Sequence, residues 1–156
     1  MAPMTDRPEL ALQLTNAVAA AYAAVQRAGD SAFRAYGLSH RAHVTLYAVD
    51  QGGPEGIRPR EVAEQLGISR AAATTFIQRL EAKGLVETTP DPEDDRGVRV
   101  MLTRHGLEVL LRVGQLERRL AARTIEGMPA STIARTVHVL QEFKRRLEGR
   151  QIEVVR

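Results

Sequence analysis

The run from Arg58 to Thr103 constrains this chain more than any other: RPREVAEQLGISRAAATTFIQRLEAKGLV, then directly ETTPDPEDDRGVRVMLT. Val62, Ala63 and Leu66 fall on one side of a short helix that opens at Pro59, where a missing N–H is harmless. Gly67 lets the chain turn sharply, Ile68 plugs the angle, and Ser69 caps a second helix. That helix runs from Arg70 to about Lys83, with Ala73, Phe76, Ile77 and Leu80 inward, and Gly84 stops it. Leu85–Thr89 and Val98–Leu102 then read as strands, with residues 90–95 expected as a loop and Gly97 easing the return. Two short helices joined by a tight turn and followed at once by a hairpin make a winged helix-turn-helix.

Helices flank this head on both sides. From about Glu9 to Tyr36, apolar residues such as Leu10, Leu14, Val18, Val25 and Ala32 recur at three- and four-residue spacing. Gly29 weakens that helix by about 1 kcal/mol without ending it, and Gly37 terminates it. Ser39 caps the next helix, which runs to about Val49 with Ala42, Thr45, Leu46 and Val49 inward; QGGPEG, residues 51–56, is a loop. Thr103 caps a fifth helix, about Arg104 to Ile125. A sixth, about Ala130 to Leu147, places Ile133, Val137, Leu140 and Phe143 on one stripe. The fold class is mainly α (α+β). A flexible lead-in, residues 1–8, precedes a single domain over 9–156, whose head is 38–103 and whose arms are 9–36 and 104–148. The arms carry more apolar surface than one small head can cover, which favours a homodimer interlocked through its chain ends; a monomer with the ends folded back is the alternative.

Composition narrows the function classes. The 156 residues suit one compact domain with helical arms, and 44% hydrophobic with only 4% aromatic residues points to helix-on-helix packing of Ala, Leu, Val and Ile. A net charge of +3 permits a polyanionic partner without requiring one. The chain has no cysteine, which removes disulfide and thiolate chemistry and fits a reducing cytoplasm. MAPMTDRPEL lacks the apolar stretch of a signal peptide, and no segment reaches the roughly 18 apolar residues of a membrane span. With no glycine-rich phosphate loop and no strong metal cluster, and with Ser69, Thr103 and Ser131 explained as helix caps, the residues argue against an enzyme and imply no cofactor.

Nearly the whole chain resembles a MarR-type transcriptional regulator. The resemblance rests on GLSHRAHVTLYAV in the second helix, EVAEQLGISRAAATTFIQRLEAKGLV through the helix-turn-helix, and DPEDDRGVRVMLTRHG through wing and cap. It implies a homodimer held by the first and last helices, with two heads docked on consecutive major grooves of a pseudo-palindromic double-stranded DNA site. It also implies repression of a nearby gene, relieved by a small, often phenolic or anionic aromatic effector.

Short polar side chains and arginines suit the donors and acceptors of a major groove. The solvent side of the fourth helix carries Ser69, Arg70, Ala72, Thr74, Thr75, Gln78 and Arg79. Arg70 and Gln78 suit base edges, Thr74 and Thr75 a thymine methyl or a phosphate, and Ser69 a phosphate at the helix N-terminus. An ordinary solvated face is the plainer reading; the wing beside it favours DNA. In the wing, Asp94 and Arg96 match the family's acid and arginine, of which the arginine reaches into the minor groove or its phosphates and the acid helps hold the tip. Arg99, on the returning strand, is expected to serve a phosphate. Relatives often carry arginine where this chain has Thr75, basic residues at Thr88 and Thr89, and a basic residue at Asp95. Each lost phosphate contact weakens non-specific binding and its salt dependence. The locally acidic stretch before Arg96 keeps open a second reading, a winged protein-interaction module that has lost DNA binding.

The resemblance also places an effector cavity between the first, second and fifth helices. Its expected lining is Tyr22, Phe33, Tyr36, His40, His43, Tyr47, His105 and Leu107. His43 stands where relatives frequently place an aromatic ring and suits an anionic or phenolic ligand. His40 and His43 have i,i+3 spacing, but zinc needs three or four ligands and no cysteine is available, so no metal is expected.

Overall fold

The computed structural model describes residues 6–149; residues 1–5, most of the expected lead-in, and 150–156 lie outside that range. Its elements are α1 (Arg7–Phe33), α2 (His40–Asp50), α3 (Pro59–Leu66), α4 (Arg70–Glu81), β1 (Val86–Asp91), β2 (Asp94–Leu102), α5 (Arg104–Thr124) and α6 (Ala130–Glu148). This is the mainly helical winged architecture expected from the sequence. Several boundaries differ: α1 starts at Arg7, inside the expected lead-in, and α4 ends at Glu81. Arg34–Tyr36 is a 3-10 turn and not the last turn of α1, and the 51–56 loop contains a second such turn, Gly53–Glu55. The chain packs as two compact units, Met1–Arg118 and Arg119–Arg156, with α5 running from the first into the second.

The core of the first unit lies under the head. Leu46 and Val49 of α2, Val62 of α3, Ala73, Ile77 and Leu80 of α4, Val86 and Val100 of the hairpin, and Val113 of α5 are all buried. The starts of α2, α4 and α5 are set locally by side-chain caps, whereas Ser131, expected as a cap, lies inside α6, which Pro129 precedes without a side-chain capping bond. Ser39 Oγ accepts from the N–H of Ala42 at 3.1 Å, and Ser69 Oγ accepts from Ala72 at 3.2 Å. Thr103 Oγ1 accepts from the Gly106 N–H at 2.9 Å while donating to the Gly84 carbonyl at 2.7 Å, which joins the start of α5 to the end of α4. Between α3 and α4, Gly67 adopts the left-handed conformation, φ 61°, that makes the sharp turn affordable to the backbone.

The hairpin corrects the sequence expectation. Residues 90–95 are not all loop: β1 extends through Pro90 to Asp91, β2 begins at Asp94, and only Pro92 and Glu93 form the turn. Proline is tolerated because a two-stranded sheet is all edge. The regular register, Val86 opposite Leu102 through Pro90 opposite Val98, breaks at the next step, where Asp91 faces Asp94. Asp95, Arg96 and Gly97 therefore form a bulge. At the other end of the hairpin, Ile57 and Val100 exchange both backbone hydrogen bonds, at 3.0 and 2.9 Å, which ties β2 to the segment leading into α3.

Outside the head the helices are largely bare. In α1 only Gly29 and Phe33 are buried, while Leu10, Leu12, Tyr22 and Val25 are exposed. In α6 no described residue is buried, and Val137, Val139, Leu140 and Leu147 are exposed.

Candidate nucleic-acid interface

The inward stripe of α4, Ala73, Ile77 and Leu80, leaves Ser69, Arg70, Thr74, Thr75, Gln78 and Arg79 exposed together on the opposite side. Among the described residues, none of these side chains is paired with a carboxylate. Both threonine hydroxyls already donate within the helix, Thr74 to the Arg70 carbonyl and Thr75 to the Ala71 carbonyl, each at 3.0 Å. What they have left to present outward is oxygen lone pairs and a methyl group. Phe76 is half-buried, with the Arg41 guanidinium 6.0 Å from its ring centroid. Arg41 Nη2 also donates to the Tyr22 hydroxyl at 3.1 Å, so one arginine links α2 to both α1 and α4.

In the wing, Asp94 and Arg96 are exposed, and Asp94 Oδ1 accepts from the Arg96 N–H at 3.0 Å. The acid thus shapes the backbone from which Arg96 projects. No carboxylate among the described residues pairs with the Arg96 guanidinium. Arg99 is different. Its Nε donates to Asp91 Oδ1 and its Nη2 to Glu93 Oε2, both at 3.1 Å, and its side chain is only 15% exposed. The expected phosphate ligand is committed to two carboxylates of its own hairpin.

Sequence reasoning missed Arg58. It precedes α3, its Nε lies 2.5 Å from Asp91 Oδ2, and its Nη2 donates to Glu93 Oε2 at 2.7 Å. Asp91 Oδ1 also accepts from the Glu93 N–H at 3.1 Å, which closes the turn. The side chain of Asp91 is 1% exposed, so these bonds compensate a carboxylate removed from water. The Arg58 guanidinium holds the Asp91 carboxyl well below the usual range, against the opposing effect of burial, with Glu93 and Arg99 adding to the same direction. Arg58 and Arg99 are themselves held more firmly protonated by Asp91. A basic residue just before a helix and an acid 33 positions later give no local signal of their pairing.

Of the residues expected around an effector, the structure brings three together. Phe33 stacks on His40, with centroids 6.4 Å apart and planes inclined by 11°, and meets His43 at 5.0 Å in a tilted arrangement. All three are buried, and Nδ1 of both histidines has no hydrogen-bond partner. Glu117 Oε2 lies 3.8 Å from His43 Nδ1, beyond hydrogen-bonding distance. Burial pushes the His43 pKa below its ordinary 6.5; Glu117 opposes the shift and His40 adds to it. Tyr22, Tyr36, Tyr47, His105 and Leu107 are exposed and do not join this cluster. Leu107 instead lines a cleft of about 330 Å³ with Val49, Pro54 and Met101. Among the described residues no three His, Asp or Glu side chains converge to hold a metal, and no helix is long and apolar enough to cross a membrane.

Residues 36–97, from the last residue of the 3-10 turn after α1 through the wing bulge, match the sequence model of the MarR family. The chain is 27% identical over 103 residues to the HTH-type transcriptional repressor IacR of Pseudomonas putida, an alignment covering 66% of this chain and 60% of that protein. The chain thus spans three-fifths or less of the length of the curated relatives it matches most strongly. Its fold superposes on the transcriptional regulator BldR from Sulfolobus solfataricus with a TM-score of 0.82, at 24% identity over 91% of this chain and 99% of that one. The corresponding values for a MarR variant from E. coli solved with operator DNA are 0.78, 22%, 89% and 99%. With the helix-turn-helix, the wing and the flanking helices present in that order, the chain resembles the MarR family of winged helix-turn-helix regulators, whose sequence model matches its central residues 36–97.

Proposed function

We propose that this chain is a sequence-specific DNA-binding regulator that acts as a homodimer, represses genes near a pseudo-palindromic site and is released by a small effector. The observation that carries the reading is the outer face of α4, where Arg70, Thr74, Thr75, Gln78 and Arg79 are exposed, free of acidic partners among the described residues and followed in the chain by a wing. Arg70 and Gln78 read base edges in the major groove. Thr74 and Thr75 offer methyls to thymine, Ser69 and Arg79 approach phosphates, and Arg96 enters the minor groove from a backbone shaped by Asp94. Arg99 supports the wing from within. IacR is named a repressor, which favours repression here. The bare apolar residues of α1, and separately those of α6, favour a second copy as their cover. The buried Phe33, His40 and His43, with two unpartnered ring nitrogens, favour a small anionic or phenolic aromatic effector at that cluster.

The rival reading, a protein-interaction module without DNA binding, draws its support from the acidic wing tip. That support weakens once Arg58 and Arg99 are set against Asp91 and Glu93. The deciding experiment is selection of genomic fragments by the purified protein at about 0.1 M salt, repeated at higher salt. Enrichment of a roughly palindromic motif, with affinity that falls as salt rises, is the expected result. A folded protein that enriches no motif overturns the reading in favour of the interaction module.

A further inference from the structure

We infer that Arg58 is the positioning residue of the wing: it locks the hairpin tip to the start of α3 and thereby sets where Arg96 meets DNA. The inference rests on the DNA-reading function proposed above. A two-stranded hairpin is marginal by itself and needs to be held by its surroundings. At its base the hold is the Ile57–Val100 bridge. Arg58 is the next residue after Ile57, and its own backbone is fixed, because its N–H donates to Glu61 Oε2 in the first turn of α3 at 2.9 Å. From that anchored backbone the guanidinium forks to Asp91 and Glu93, on either side of the turn residue Pro92. Arg99 closes the ring from β2, bonding the same two carboxylates.

The consequences reach Arg96 by two routes. Asp91 faces Asp94 across the turn, and Asp94 holds the Arg96 N–H, so the clamp and the bulge share one short stretch of backbone. The bulge is itself close-packed: a Cβ at Gly97 would lie 3.0 Å from the Cβ atoms of both Asp91 and Asp94. The second route is charge. Two guanidiniums against two carboxylates leave the ring neutral, so the acids that repel a phosphate backbone are reduced to Asp94 and Asp95, beside Arg96. Without Arg58 the tip would carry one more uncompensated negative charge and would be tied to the head only at its base.

The test is a double-mutant cycle on the full-length protein, using a duplex enriched by the wild type. Arg58→Met keeps the aliphatic stem and removes the charge, and Arg96→Ala removes the proposed groove contact. Arg96→Ala is expected to weaken binding about tenfold and to lower the salt slope by about one. At a salt concentration high enough to screen the charge route, Arg58→Met should weaken binding by a similar factor in the wild-type background and by less than about twofold when Arg96 is already alanine. Arg58→Lys guards against a folding defect: it leaves a cation for Asp91 but cannot fork to Glu93, and should give an intermediate loss at an unchanged thermal midpoint. In the free protein, amide exchange at residues 93–98 should quicken in Arg58→Met. Additive losses overturn the inference, because Arg58 would then contact DNA itself; so does unchanged affinity in either Arg58 variant. If the wild type enriches no duplex, the DNA-reading function falls, and the exchange measurement still decides separately whether Arg58 holds the wing.

Discussion

His43 is the residue whose burial has the clearest consequence in solution. Its folded-state pKa lies below the ordinary 6.5 because burial disfavours the charged ring. The unfolded chain therefore binds a proton more readily than the folded one, so stability is full above the ordinary value and falls as pH drops through it. We expect the thermal midpoint to decline between about pH 7 and pH 5, and the decline to flatten in His43→Phe, which keeps a ring beside Phe33 and cannot titrate. An equal slope in that variant would place the effect elsewhere. Asp91 acts in a different window. Its carboxyl is held below the ordinary 3.8, so its contribution is present above that value and is lost only in stronger acid. Gly106 is limited by space, since a Cβ there would overlap the Leu85 carbonyl oxygen. That oxygen accepts from the Thr103 N–H at 3.1 Å, so Gly106→Ala must displace the joint between β1 and α5. A loss of about 1–3 kcal/mol in urea denaturation is expected, the range for overpacked sites.

At the scale of elements, α4 and the wing differ in how openly the sequence declares them. The cap at Ser69, the stripe Ala73, Ile77, Leu80 and the exposed polar face all follow from spacing along one helix, and each stands where the pattern put it. The exposed face gives a direct prediction. Gln78→Ala should cost about 1–3 kcal/mol on the selected duplex and relax preference at one base pair, as read by competition with single-base variants. A uniform loss over all variants would instead mark Gln78 as a backbone contact. The wing was legible as a hairpin but not in its length. Proline, aspartate and glutamate over residues 90–95 argue locally for a loop, and the strand persists with Arg58, far away in sequence, joining Arg99 to neutralise Asp91 and Glu93. The same pairing explains why Arg99 faces its own hairpin.

At the scale of the whole molecule, the exposed apolar residues of α6 give the dimer its test. Val137 and Leu140 lie three residues apart, so they share a face of the helix, and both are exposed. Sedimentation velocity of the wild type should report a dimer. Replacing both residues with glutamate should weaken self-association about a hundredfold or more, since each large apolar side chain contributes on the order of 1.5–3 kcal/mol when buried. A wild-type monomer, or an unaffected double variant, would remove α6 from the interface. Sequence alone determined the number and order of helices, the caps of α2, α4 and α5, the winged arrangement and the polar face of α4, because periodicity and capping act over three or four residues. Tertiary structure decided the reach of the wing, the partner of Arg99, the role of Arg58 and the burial of His40 and His43 against Phe33. Those depend on charges and rings brought together across tens of residues, and no local pattern records which of several possible partners the fold will supply.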